Sequence, residues 1–364
     1  MRRRHGRMNQ YVMAALAVVA LVMFAVVSRS ARPVRARFYD EKLVAARLAR
    51  RATTAVAGLR GELGVPVDSV NDPNGTGLVG VQHSVLTWGR SDLSDALTTL
   101  NPNFAAALVE LLHRAGLRSG DTVGLSWDGT YPGLNIALLA ACSSVGARPV
   151  VVTAASAASW GANYPGMSWL DIEARLRQSG VWGYRSRFAT SGGESDDGRG
   201  LVPEGRDLAA AAAAAASVDF LVPADPAEGA ATRVAAFRNA RAVVCVGRVA
   251  ADIGGPDARL ATRVHRRPVA TIDSSSTIFA LLERRVPVLY LGNPRRVATE
   301  FRLPLAPEPL PEPGRGRLFF ERRYPAGLAA ALALVLLGLL LFVVRYDVEW
   351  YLGDRDGRTR EEAV

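Results

Sequence analysis

The chain of 364 residues carries a formal charge of +10, with 49% hydrophobic and 21% charged residues, a composition of folded rather than disordered proteins. Eight of its arginines precede residue 38, where no acid occurs, and the rest of the chain balances to +2. The excess charge therefore flanks an apolar run, which argues against a nucleic-acid-binding face. Cys142 and Cys245 are far apart in apolar contexts, which excludes a disulfide framework and suits two small buried hydrophobes.

In chain order, residues 1–10 form a basic tail. Tyr11 to Val27 then runs 17 residues without a charge, and Ala326 to Val344 runs 19. Both reach the roughly 17–25 residues that a bilayer-crossing helix needs, and transmembrane helices are expected at 11–28 and 325–344. The stretch SRSARPVRAR after the first run lacks a small-x-small cleavage site, which favours an anchor over a signal peptide. Two anchors place both tails, including the charged tail 345–364, on one side of a membrane. Eight arginines flank the anchors on each side, so charge counting does not orient the chain. The N-terminal Arg cluster favours an inside start and an extracytoplasmic central domain.

Between the anchors, residues 38–302 alternate helix and strand patterns. Phe38 to Leu63 reads as an Arg- and Ala-rich amphipathic helix that would stand the domain off the membrane. DPNGTGLVG (72–80) is a turn cluster, and GLVGVQHSVLTW has strand character. NPNFAAALVELLHRAG predicts a helix capped by Asn101, with Pro102 in its first turn and Gly116 at its exit. Short apolar strands follow at 121–127, 148–155, 240–247 and 286–292. Helices are expected at 131–146, 169–178, 207–216 and 276–285. SGGESDDGRG (191–200) reads as polar and exposed. LPLAPEPLPEPGRGR holds five prolines, and 303–324 reads as an extended linker. This alternation predicts an α/β, Rossmann-like domain with a mostly parallel sheet flanked by helices, between two transmembrane helices.

In open parallel sheets ligands sit beyond the carboxyl ends of the strands. Three loops would meet there: SWDGTYPG after the strand at 121–127, SAASWGANYPGMSWLD after that at 148–155, and GRVAADIGG after that at 240–247. In the first loop, Asp128 and Thr130 are the catalytic candidates, with Asp128 as base or nucleophile or simply a turn residue. Gly129, Tyr131 and Asn135 belong to a helix start whose free N–H groups suit an anion. In the second loop, Ser156, Ser159, Trp160, Gly161 and Asn163 are binding candidates. Gly161 permits close backbone approach, Trp160 offers a flat face, and Ser159 and Asn163 bring hydrogen-bonding groups. Asp171 is a further binding candidate, although Ser168 and Asp171 have capping-box spacing, with Met167 and Ile172 as the staple. The scattered His83, His113 and His265 lack metal-ligand spacing. No cofactor motif and no nucleophile elbow occurs.

The stretches DPNGTGLVGVQHS, NPNFAAALVELL, DGTYPGLNIALLAA and SAASWGANYPGMSWLDIEARL resemble the poly-gamma-glutamate system protein family. The likeness covers 72–200 and, more loosely, PLPEPGRG. Its most specific part is carried by Ser156, Ser159, Trp160, Gly161, Ala162, Asn163, Pro165, Trp169, Leu170, Asp171 and Glu173. The chain departs from the family pattern at Asp128-Gly129-Thr130, where Ser-Gly-Ser is expected, so a Ser-based reaction at 128 would be missing. The resemblance implies a membrane component of poly-γ-glutamate (capsule) synthesis or export that binds the polymer or the synthase. It implies synthase and export proteins, the membrane and an anionic polymer as partners. Two alternatives stand beside it: an enzyme that hydrolyses or transfers the γ-glutamyl polymer, and a sugar- or nucleotide-binding domain on the cytoplasmic side.

Overall fold

The computed structural model describes residues 10–66, 68–255 and 258–345; the tails 1–9 and 346–364 lie outside them. In chain order, α1 (Gln10–Arg29) and β1 (Arg32–Arg35) lead to α2 (Tyr39–Glu62), β2 (Thr87–Gly89), α3 (Leu93–Thr99) and α4 (Phe104–Ala115). Then come β3 (Thr122–Trp127), α5 (Pro132–Val145), β4 (Arg148–Ala154), β5 (Ala157–Ala158), α6 (Trp169–Gln178), β6 (Ser186–Thr190), α7 (Pro203–Ala215), β7 (Asp219–Leu221) and α8 (Pro226–Ala236). The series ends with β8 (Ala242–Val246), α9 (Ala250–Ile253), β9 (Arg263–His265), α10 (Thr277–Glu283), β10 (Val288–Leu291), α11 (Pro294–Glu300), β11 (Phe320–Arg323) and α12 (Ala326–Arg345). Two units result: residues 36–319, and the chain ends on either side of them.

In the larger unit the apolar runs form one sheet in the order β7-β6-β4-β3-β8-β10-β9. Every pairing is parallel except β9 with β10. The central strands β4, β3, β8 and β10 are apolar on both sides because both faces are covered. Val244, Val246, Leu289 and Leu291 enter the core under α4 and α5. Val243, Cys245, Val288 and Tyr290 enter the core on the opposite face. Helix α5 is buried over nearly its whole length, as an all-round apolar helix must be.

Several sequence expectations change. Helix α2 packs on the domain instead of standing it off: Ala45, Ala46, Ala49, Ala52 and Val56 are buried in the core that includes α5. Lys42 pairs with Glu110 at 3.1 Å. The Pro-rich segment is fastened down over its first part. Asn74 Nδ2 donates to Pro307 O and Asn103 Nδ2 to Glu312 O, and Leu318 and Phe319 are buried. Around residues 81–88 only Thr87–Gly89 is a strand, and α4 begins at Phe104, with Asn101 bonding Asn103 N in the turn before it.

The largest correction is at 191–200. Asp196 is fully buried, not exposed. Its two oxygens take Arg233 Nη1 at 2.6 Å and Nη2 at 3.1 Å. Arg233, also fully buried, donates Nε to Ser126 Oγ at 3.3 Å, and Asp252 lies 3.7 Å from that Nε. A buried guanidinium needs such a fork, because an unpaired charge there is costly.

In the smaller unit, β1 and β11 form an antiparallel ribbon. No described residue of helix α1 or of α12 over 326–343 is buried, and both helices are long and apolar enough to cross a membrane.

Candidate functional site

Strand β3 is where the order of the sheet turns. From it the chain lays down β4, β6 and β7 on one side, then returns to place β8 on the other. The crevice outside the carboxyl ends of β3 and β8 is therefore the topological switch point. Asp128 sits there, directly after Trp127. It is 2% exposed. Its Oδ1 accepts from Thr130 N at 2.9 Å, and its Oδ2 accepts from Thr130 Oγ1 at 2.8 Å and from Trp88 Nε1 at 3.3 Å. Gly247, at the end of β8, has a φ of +79°, and a Cβ there would meet Asp128 Oδ1 at 3.1 Å. Burial raises the Asp128 carboxyl to about 6, against the three donors that favour its ionised form. A carboxyl in that range changes charge near neutral pH, as a general acid or base must. Burial likewise raises the phenols of Tyr131 and Tyr290, and the nearby carboxylates Asp95 and Asp128 add to the effect at Tyr131.

The loop after β4 frames this turn. Gly129 N donates to Ser156 O at 3.0 Å, Ala162 N to Gly129 O at 2.7 Å, and Ala158 N to Thr130 Oγ1 at 3.0 Å. Gly161 is packed so closely that a Cβ would lie 2.5 Å from Gly129 O. The same loop also clamps the segment before β2. Trp160, with a φ of +66°, donates its N–H to Val81 O and accepts from Gly80 N. Asn163 is fully buried: its Oδ1 accepts from Val81 N, and its Nδ2 donates to Val81 O and Thr87 Oγ1.

The candidates thus divide into groups. Asp128, Gly129, Thr130 and Asn135 converge, since Asn135 Nδ2 donates to Asp128 O at 2.9 Å. Asn135 Oδ1 is buried and accepts no hydrogen bond among the described residues. Ser156 and Ser159 are engaged by Gly193 N and Gly89 O. Asp171 closes the capping box with Ser168. Met167 and Ile172 are buried in one cluster. The helix start read as an anion site is covered: Gly133 packs so tightly that a Cβ would lie 2.8 Å from Thr99 O.

Beyond the ends of β8 and β10 lies an open cleft of about 430 Å³ lined by Arg248, Arg259, Thr262, Tyr290, Gly292 and Asn293. Arg248 and Arg259 are exposed. Thr262 Oγ1 takes Asn293 N at 2.9 Å and so joins two of the walls. Sequence reasoning named the loop holding Arg248 but missed Trp88, Arg259, Tyr290 and Asn293. The available signal was a glycine closing each apolar strand, Gly247 before Arg248 and Gly292 before Asn293.

Comparison with protein-family models, with curated proteins and with solved structures gives no match. The functional reading rests on these residues and on the motif resemblance.

Proposed function

We propose that this chain is a membrane-anchored component of a poly-γ-glutamate system. Its α/β domain binds the anionic polymer in the cleft beyond β8 and β10. The observation that carries the reading is the pair Arg248 and Arg259 on the rim of that cleft, beside the switch point. Guanidinium groups bind carboxylates in two-pronged geometry. A cleft of this volume falls in the range of ligand sites. The SWGAN-type motif supports the pathway and, with it, synthase and export proteins as membrane partners. Helices α1 and α12 then span the membrane and hold the domain on the extracytoplasmic side.

A second reading has its own support. Asp128, raised to about 6, suits an acid or base that hydrolyses or transfers γ-glutamyl bonds. One experiment separates the two. The full chain in detergent is titrated with γ-linked glutamate oligomers, and oligomer length is followed over time. Polymer binding predicts saturable affinity, weakened at least ten-fold in Arg248→Ala with Arg259→Ala and kept in Asp128→Asn. Shortened oligomers, abolished by Asp128→Asn, would support the enzyme. No affinity and no length change would sink both.

A further inference from the structure

The ribbon that joins the two apolar helices carries an excess of basic residues in its own sequence. Residues 29–35 and 320–323 hold Arg29, Arg32, Arg35, Arg322 and Arg323 against one acid, Glu321. All eight ribbon residues are exposed. Register decides where the charges lie. Arg32 is opposite Arg323, Pro33 opposite Arg322, Val34 opposite Glu321 and Arg35 opposite Phe320. α1 ends at Arg29 and α12 begins at Ala326, so the Arg32–Arg323 rung is the one nearest both helices. Glu321 sits two rungs further away. Like charges directly opposite on a ribbon repel, and a two-stranded ribbon alone is marginal in water. The most repulsive rung is thus set at the helix ends.

We propose that Arg29, Arg32, Arg322 and Arg323 form a collar that binds the phosphates of anionic phospholipids. The inference rests on α1 and α12 spanning the membrane and goes beyond the cleft. A four-residue strand is about 13 Å long, and the headgroup layer on one side of a bilayer is roughly 5–8 Å deep. Two residues on each chain, at most about 7 Å of backbone, separate the helix ends from the Arg32–Arg323 rung. That rung meets the headgroup layer, Arg29 stands at the helix end, Arg322 is one residue further out with a long side chain that can reach back, and Glu321 is one residue further still. Tyr324, 54% exposed between ribbon and helix, takes the place of an interfacial aromatic. The phosphate oxygens supply the charge that the facing guanidinium groups lack.

The test uses the full chain reconstituted in phosphatidylcholine vesicles that contain either spin-labelled phosphatidylglycerol or spin-labelled phosphatidylcholine. The fraction of label immobilised at the protein is read by electron paramagnetic resonance. The wild-type chain immobilises the anionic label preferentially, and the preference shrinks in high salt. Arg32→Gln with Arg323→Gln lowers it by about five-fold for each arginine replaced. Arg47→Gln with Arg51→Gln, exposed on α2, leaves it unchanged. Equal immobilisation of both labels by an inserted wild-type chain would overturn the proposal alone. Extraction of the chain by alkaline carbonate would overturn the spanning reading as well. Binding of soluble polyglutamate in neutral vesicles, lost in the Arg32/Arg323 variant, would assign the arginines to the polymer and also overturn it.

Discussion

Asp128→Asn should stabilise the protein above neutral pH and destabilise it in acid. The carboxyl moves from the ordinary 3.8 to about 6 on folding, chiefly through burial. A raised folded value means that the native state holds its proton more tightly than the unfolded chain. Stability is therefore greatest below pH 3.8, falls as pH rises towards 6, and is flat above that. At about 1.36 kcal/mol per unit, the ionised carboxyl costs about 3 kcal/mol. An asparagine removes that cost. Its Oδ1 still accepts from Thr130 N, but its Nδ2 faces Trp88 Nε1, donor against donor, across a contact that is already 3.3 Å long. The lost bond costs about 1 kcal/mol. The expected net is about 2 kcal/mol of stabilisation near pH 8 and about 1 kcal/mol of loss near pH 3. At roughly 2–4 °C per kcal/mol for a large domain, the variant melts about 4–8 °C higher near pH 8. Burial also raises Asp252 and Glu173, so the wild-type curve alone is a composite. The difference between the two proteins isolates Asp128. Thermal melts of both in detergent across this range decide it, and a melting difference independent of pH would refute the account.

Trp88 should report the same titration. Indole fluorescence is expected to change with a midpoint near 6 in the wild type, and the transition should vanish in both Trp88→Phe and Asp128→Asn. Asp196→Ala leaves the Arg233 guanidinium buried with its fork broken; a loss of about 3–5 kcal/mol is expected in denaturant melts, together with protease cleavage within 191–200. Asn163→Ala removes three hydrogen bonds to residues 81 and 87. It should cost about 2–3 kcal/mol and expose 78–91 to limited proteolysis while α4 and α5 stay protected.

The four central strands, β4, β3, β8 and β10, were legible as short apolar runs, the last two ending in glycine, and because both faces are buried no alternation blurs them; β6, β7 and β9 are short, hold polar residues and escaped. The turn at Asp128 was legible for a related reason: Asp-Gly after a strand and Pro at a helix start have local geometry. What escaped was pairing over distance. Arg233 sits in an Ala-rich helix, and Asp196 in a run of Gly, Ser and Asp. Each reads as solvated by itself, and only the fold brings the two together across 37 positions. Asn163 and Ser159 were recognised as unusual, but apart from Thr87 Oγ1 the partners within 81–89 are main-chain groups, and no side-chain pattern announces a main-chain partner. The small-residue face of α2 was visible as amphipathic, but its target, α5, was not.

The larger unit begins and ends at one point: Ala36 N donates to Phe319 O at 2.9 Å. Its first and last residues are thus hydrogen-bonded neighbours, as at the base of a hairpin. In topology the domain is an insertion between two neighbouring strands of chain. It is therefore a cassette that can be excised at residues 36 and 319 and grafted into any tight turn without stretching the host. Its ends can also be joined by a short linker to make a circular permutant reopened elsewhere on its surface.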